Sequence, residues 1–115
     1  MNVRNGPGLN HLLIYKILVK GYPLKELSEF DNWKKIQDFS GRIGWVSKSH
    51  LSSQRYVISV MPDQYLYKFP TYSSKKIAFV KNESVLKIIK ENEDWLLLES
   101  DDVKGWLTKK SVWGG

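Results

Sequence analysis

Cysteine is absent from this 115-residue sequence, so disulfides, thiolate metal ligands and cysteine nucleophiles are excluded by chemistry, and the redox compartment stays open. Histidine is nearly absent too. The chain has two, His11 and His50, in different segments, without HxxxH spacing and without a nucleophile motif beside them. Neither a zinc site nor nucleophile–base catalysis is expected from that pair, and no catalytic residue, metal or cofactor is assigned. No stretch approaches the roughly 18 to 20 apolar residues that cross a bilayer. Met1-Asn2-Val3 runs straight into a motif, with no basic n-region or apolar h-region. So abrupt a start leads us to expect that a segment upstream has been removed.

What is present is an ordinary globular composition, 42% hydrophobic and 13% aromatic, which suits one compact domain or two very small ones. The net charge of +6 is uneven. Up to Ile58 there are nine Lys and Arg against four Asp and Glu; after it there are nine against eight. A polyanionic partner would suit that excess, yet only Arg4, Arg42 and Arg55 are arginines, and lysines commonly form no more than a solvated surface.

One pattern is written twice. "GYPLKELSEFDNWKKIQDFSGRIGWVSKSHL" matches "NESVLKIIKENEDWLLLESDDVKGWLTKKSV": an apolar stretch, a polar turn, Trp, an apolar residue three further on, a second turn, Gly-Trp and a hydrophobic end. Trp33 answers to Trp95, and Gly44-Trp45 to Gly105-Trp106. Upstream the match is looser, keeping Val3 and Leu66, Pro7 and Pro70, Ile14 and Ile77. The repeats run roughly from Asn2 to Ser53 and from Gln64 to Gly115. We therefore expect a first domain over 1–55, a rigid β-type connector over 56–63 and a second domain over 64–115.

Within each repeat the pieces are short, rich in β-branched and aromatic residues, and separated by Gly, Pro, Asn, Asp or Ser, which predicts antiparallel strands. Ser40-Gly41 and Asp101-Asp102 are expected at hairpin turns. Gly44 and Gly105 interrupt strand patterns, where a missing Cβ marks a bulge or a close backbone approach. Val3, Ile14, Leu27, Ile36, Val46 and Leu51 should fill one core, and Leu66, Ile77, Ile88, Leu98, Leu107 and Val112 the other. Units of about 55 residues without disulfide or metal are close to the lower limit of independent stability, so the two are expected to support each other. The joining "QRYVISVMP" alternates like a strand, not like a flexible linker.

"NVRNGPG" could be taken for a phosphate cradle, but no Gly-Lys-Ser/Thr follows and no helix starts after Gly8. We expect a tight reversal instead, with Gly6 able to take positive φ and Pro7 fixing its own.

"NVRNGPG", "KG.P" at Lys20 to Pro23, "NW.KI" at Asn32 to Ile36, "G..GWV" at Gly41 to Val46 and a helical "KSHL" turn together resemble the bacterial Src-homology-3 domain, in the tandem form of small exported bacterial proteins. The first repeat matches over nearly its whole length. The second keeps "DW", "KGWL" and "KKSVWGG", but "KFPTY" has lost both glycines of the turn, which argues against one shared ligand mode. The resemblance implies an all-β fold of two small partly open barrels, five- to six-stranded and packed together. It also implies a non-catalytic role attaching to cell-wall peptide or to an envelope protein, and export to the periplasm or envelope if a signal peptide lies upstream. It does not imply proline-rich recognition.

For the ligand, the aromatic surface of the first repeat is the candidate. Trp33 and Trp45 should approach each other across a hairpin; with Tyr15, Tyr22 and Phe30 they could line a shallow groove rimmed by Arg4, Asn5, Asp31 and Asn32. The competing reading has these tryptophans closing the barrel or packing against the other unit; for Trp95, Trp106 and Trp113 that reading is preferred. An assembly protein without a small ligand is the alternative function. A nucleic-acid binder, stacking bases along "NWKKIQDF", ranks below both. Oligomeric state is left open.

Overall fold

The computed structural model describes residues 1–18, 21–51 and 54–115; Lys20 of the "KG.P" motif and Ser53, the expected end of the first repeat, lie outside them. The fold is all-β. Strands β1 (Asn2–Arg4), β2 (Leu13–Lys16), β3 (Leu24–Phe30), β4 (Trp33–Asp38) and β5 (Ile43–Ser47) are followed by a 3-10 turn at Lys48–His50. Then come β6 (Tyr56–Ser59), β7 (Gln64–Tyr67), β8 (Lys76–Val80), β9 (Val85–Glu91), β10 (Trp95–Ser100) and β11 (Val103–Thr108), a 3-10 turn at Lys109–Ser111, and β12 (Val112–Gly114).

The first sheet has the order β2-β1-β5-β4-β3 and the second β12-β6-β9-β10-β11-β7-β8. Strip β6 and β12 from the second and the orders coincide. The registers coincide too: Ile36 lies opposite Gly44 and Lys35 opposite Trp45, as Leu98 lies opposite Gly105 and Leu97 opposite Trp106. Both sheets are open, as expected. The seventh strand of the second arises because Tyr56–Ser59, expected as a connector, pairs with β9 and β12.

Turn chemistry sets the hairpins. Gly41 has φ 94°, and Asp101 and Asp102 have φ 49° and 65°, the left-handed pair that a two-residue type I′ turn requires between Ser100 and Val103. At "NGPG" the chain does reverse, with the Asn5 N–H donating to the Leu12 carbonyl at 2.9 Å. Neither Gly6 nor Gly8 is left-handed, however. The His11 ring lies against Gly6: an added Cβ would stand 2.3 Å from His11 Nδ1, so that exposed ring would have to turn aside for any larger residue.

Val3, Ile17, Ile36 and Val46 form the first core; Val57, Leu66, Val80, Leu86, Leu96, Leu98 and Leu107 form the second. Leu51, Ile88 and Val112 pack at the margins. Ile14, Leu27 and Ile77, expected inside, are 47%, 43% and 43% exposed. The reason is common to all three. Each is the residue skipped where the ladder register slips, between Tyr15 and Leu13, Glu26 and Ser28, and Ala78 and Lys76; a bulge residue leaves the inward alternation. Gly44 and Gly105 mark close approaches. An added Cβ would lie 2.3 Å from Val3 Cγ1 at the one and 2.5 Å from Leu66 Cβ at the other.

The units lean on each other through the stretch around β12. The Gly115 N–H donates to the Leu24 carbonyl at 2.9 Å, and the Trp113 ring meets Phe39 edge-on, centroids 5.6 Å apart. Gly21, left-handed at φ 73°, lies against the Tyr56 ring.

Candidate ligand-binding faces

The nine expected site residues of the first unit separate onto two sides of its sheet. Tyr15 lies opposite Val3 and so shares the core side, where Tyr22 also packs. The Tyr15 hydroxyl donates to Asp38 Oδ2 at 3.2 Å, and the Arg42 guanidinium covers its ring at 3.9 Å. Asp38 is wholly buried. It accepts from Ser40 Oγ at 2.7 Å, from the Arg42 N–H at 2.9 Å and from Arg42 Nε at 2.7 Å. Burial pushes its carboxyl up, but those hydrogen bonds outweigh burial and hold it below the usual carboxylate range. Burial, then the Asp38 charge, push Tyr15 up to about 12. Tyr15 thus serves a satisfied structural network, and Tyr22 packs on the same core.

The opposite side carries the rest. Arg4 pairs with Trp45, and Trp45 with Lys35; Trp33, two residues from Lys35, shares their face. Trp33 and Trp45 are therefore diagonal neighbours, and Phe30, 57% exposed, pairs with Trp33 at the hairpin end. Asp31, left-handed at φ 51°, and Asn32 make the turn, the Asn32 carbonyl accepting from the Lys48 N–H at 2.8 Å. Asn5 lies exposed in the turn after Arg4.

The densest aromatic face is in the second unit. Tyr67, Tyr72 and Trp95 meet edge-on in all three pairings, with centroids 5.6, 6.1 and 5.0 Å apart. Tyr72 is 63% exposed. Register and spacing relate this face to the first unit: Tyr67 lies opposite Trp106 as Arg4 lies opposite Trp45, Tyr72 follows Pro70 as Leu9 follows Pro7, and Trp95 answers to Trp33. Three rings in one unit correspond to Arg4, Leu9 and Trp33 in the other. Motif spacing alone does not single out Tyr67 and Tyr72, and for Trp95 packing is the expected role. The signal was "YLYKFPTY", four aromatics in eight residues.

Two family models, each described as bacterial SH3 domain, match residues 1–52 and 62–114. The chain belongs to the bacterial SH3 family. Bacterial SH3 domains are binding modules, and this chain holds two in tandem. It is 29% identical, along its whole length, to YrvJ of Bacillus subtilis (strain 168), named as a candidate N-acetylmuramoyl-L-alanine amidase, and spans 24% of that protein. The fold of the whole chain is also similar to 44% of the structure of NlpC2 from Trichomonas vaginalis, with 17% identity and a TM-score of 0.50. Among the described residues no helix is long and apolar enough to cross a membrane.

Proposed function

We propose that this chain is a non-catalytic binding module of the bacterial envelope that recognises cell-wall peptide through the Tyr67–Tyr72–Trp95 face. The observation that carries this reading is the edge-on packing of Tyr72, 63% exposed, on Trp95 and on the buried Tyr67, which also meet each other edge-on. Rings held by one another present apolar area whose ordering cost is already met before a ligand arrives. The amidase name of a relative that contains a matching tandem supports the cell wall as the target; the role expected for this portion is attachment. Arg4, Phe30, Trp33 and Trp45, rimmed by Asn5, Asp31 and Asn32, form a second, more cationic face that takes a different part of the ligand.

Retention on purified peptidoglycan tests this. Replacing Tyr72 with Ala removes one exposed ring, worth about 0.5–1.5 kcal/mol, or roughly 2- to 10-fold in affinity, while the loss of its contacts with Tyr67 and Trp95 lowers the melting temperature by a few degrees and leaves the chain folded. Undiminished retention of Tyr72→Ala and of Trp95→Phe would rule the face out.

A further inference from the structure

A different edge of the molecule carries a run of exposed apolar side chains. β2 stands at the end of the first sheet; like many natural edges it is short and bears a lysine, Lys16, and a bulge at Ile14. It nevertheless exposes Leu13 and Ile14 by 38% and 47%, with Leu12 before it at 72% and Leu18 after it at 86%. The counterpart edge β8 also exposes apolar residues, Ile77 at 43% and Phe79 at 56%, but Lys75 and Lys76 stand together at its start and Phe79 packs on Tyr65 at 5.5 Å.

Beyond β2 the chain runs into a cleft of about 440 Å³ between the units, within the usual ~300–1,000 Å³ range of ligand pockets. Ile17, Leu18, Tyr22 and Leu24 line it from the first unit and Tyr56 from the second. The charged groups at its rim are already engaged: Arg55 by Glu91 at 2.7 Å and Glu26 by Lys34 at 3.6 Å. An apolar group therefore fits the cleft better than a charged one.

We propose that β2 and this cleft form one docking track for an extended strand of another polypeptide, which adds to the sheet edge and seats an apolar side chain in the cleft. Edge addition uses the unpaired backbone groups of β2, and side chains supply selectivity. From Leu12 to Leu18 the track is about 20 Å long, six residues of extended chain. Lys16, with Arg4 on the neighbouring strand, calls for an acidic residue flanking the apolar ones. A second copy would meet that cationic excess with its own, and a lipid surface would leave the backbone groups unpaired.

Panning random eight-residue peptides displayed on phage against the full 115-residue chain, then titrating the enriched synthetic peptide into isotope-labelled protein, tests the track. The expected sequence spaces apolar residues around an acid. Its amide shifts should fall at residues 12–18, Tyr22 and Tyr56, with slowed hydrogen exchange along β2. Leu18→Ser and Ile14→Thr, both at exposed positions, should weaken it at least 5-fold, and Tyr72→Ala should leave it unchanged. The proposal is overturned if no sequence is enriched, or if the shifts appear at Tyr72 and Trp95. It is equally overturned if β2 responds only to protein concentration, as a dimer would, or only to phosphatidylglycerol vesicles.

Discussion

Replacing Asp38 with Ala is the sharpest test of how the first unit holds together. The carboxylate is wholly buried and accepts four hydrogen bonds, from Ser40, twice from Arg42 and from Tyr15. Removing one partner of a fully buried ion pair costs about 3–5 kcal/mol. Here the Arg42 side chain is 55% exposed and Ser40 lies at the surface, so both side chains regain water, while the Tyr15 hydroxyl and the Arg42 backbone N–H lose their partner in a part-buried place. The expected cost is about 2–3 kcal/mol. For a chain of this size melting as one, each kcal/mol lowers the midpoint by about 4 °C, so a fall near 10 °C is expected at pH 7 by circular dichroism or calorimetry. Because folding lowers the Asp38 pKa, its stabilisation is complete above the unfolded value near 4 and is lost as pH falls through the lower folded value. The gap between wild type and variant should therefore begin to narrow below about pH 4 and go on narrowing as the pH falls further. A variant that melts within about 2 °C of wild type at pH 7, or a gap that widens in acid, would refute the reasoning.

Gly105→Ala places a methyl 2.5 Å from Leu66 Cβ, an atom that cannot move without its backbone; about 2–3 kcal/mol of destabilisation is expected in urea melts. Gly44→Ala, which would meet the fully buried Val3 Cγ1 at 2.3 Å and the Arg4 carbonyl at 3.0 Å, should cost about as much, since a β-branched core side chain has no free rotamer to move into. Asp101→Asn with Asp102→Gly suits the left-handed turn and should raise stability by about 0.5–1 kcal/mol in the same assay. Tyr15, with its pKa pushed up to about 12, favours the folded state while neutral. Stability should fall as pH rises from about 10 through 12, and Tyr15→Phe should flatten that fall.

The duplication was legible because turn residues, Trp and Gly-Trp recur at matched spacing, and each position has a backbone or packing reason: Gly41 and Asp101-Asp102 reverse the chain, and Gly44 and Gly105 admit a neighbouring strand. Val3, Ile36, Val46, Leu66, Leu98 and Leu107 were legible as core positions, while the buried Ile17, Val57, Val80, Leu86 and Leu96 were not among those expected. Ile14, Leu27 and Ile77 went astray because a bulge is a property of two paired strands, not of the apolar pattern in one. The ring face needs Trp95 to meet Tyr67 and Tyr72, more than twenty residues away in sequence, so the loop's composition was visible and the contact was not. Tyr15 was separated from Trp33 and Trp45 by strand parity, which becomes readable only once Asp38 is seen buried beside it, and Tyr22 by the loop before β3 that packs it on the same core.

β6 follows the first repeat in the chain, yet its backbone partners are β9 and β12. A fragment cut where the second family match begins, at residue 62, would discard that strand. Val57, fully buried, would vanish from the centre of the remaining core, and Val85–Glu91 would be left facing water along the side it had shared. Anyone excising the second module to study it alone should retain residues from 54 onward, and should read insolubility of a shorter piece as the loss of a neighbour rather than as evidence that the module cannot fold by itself.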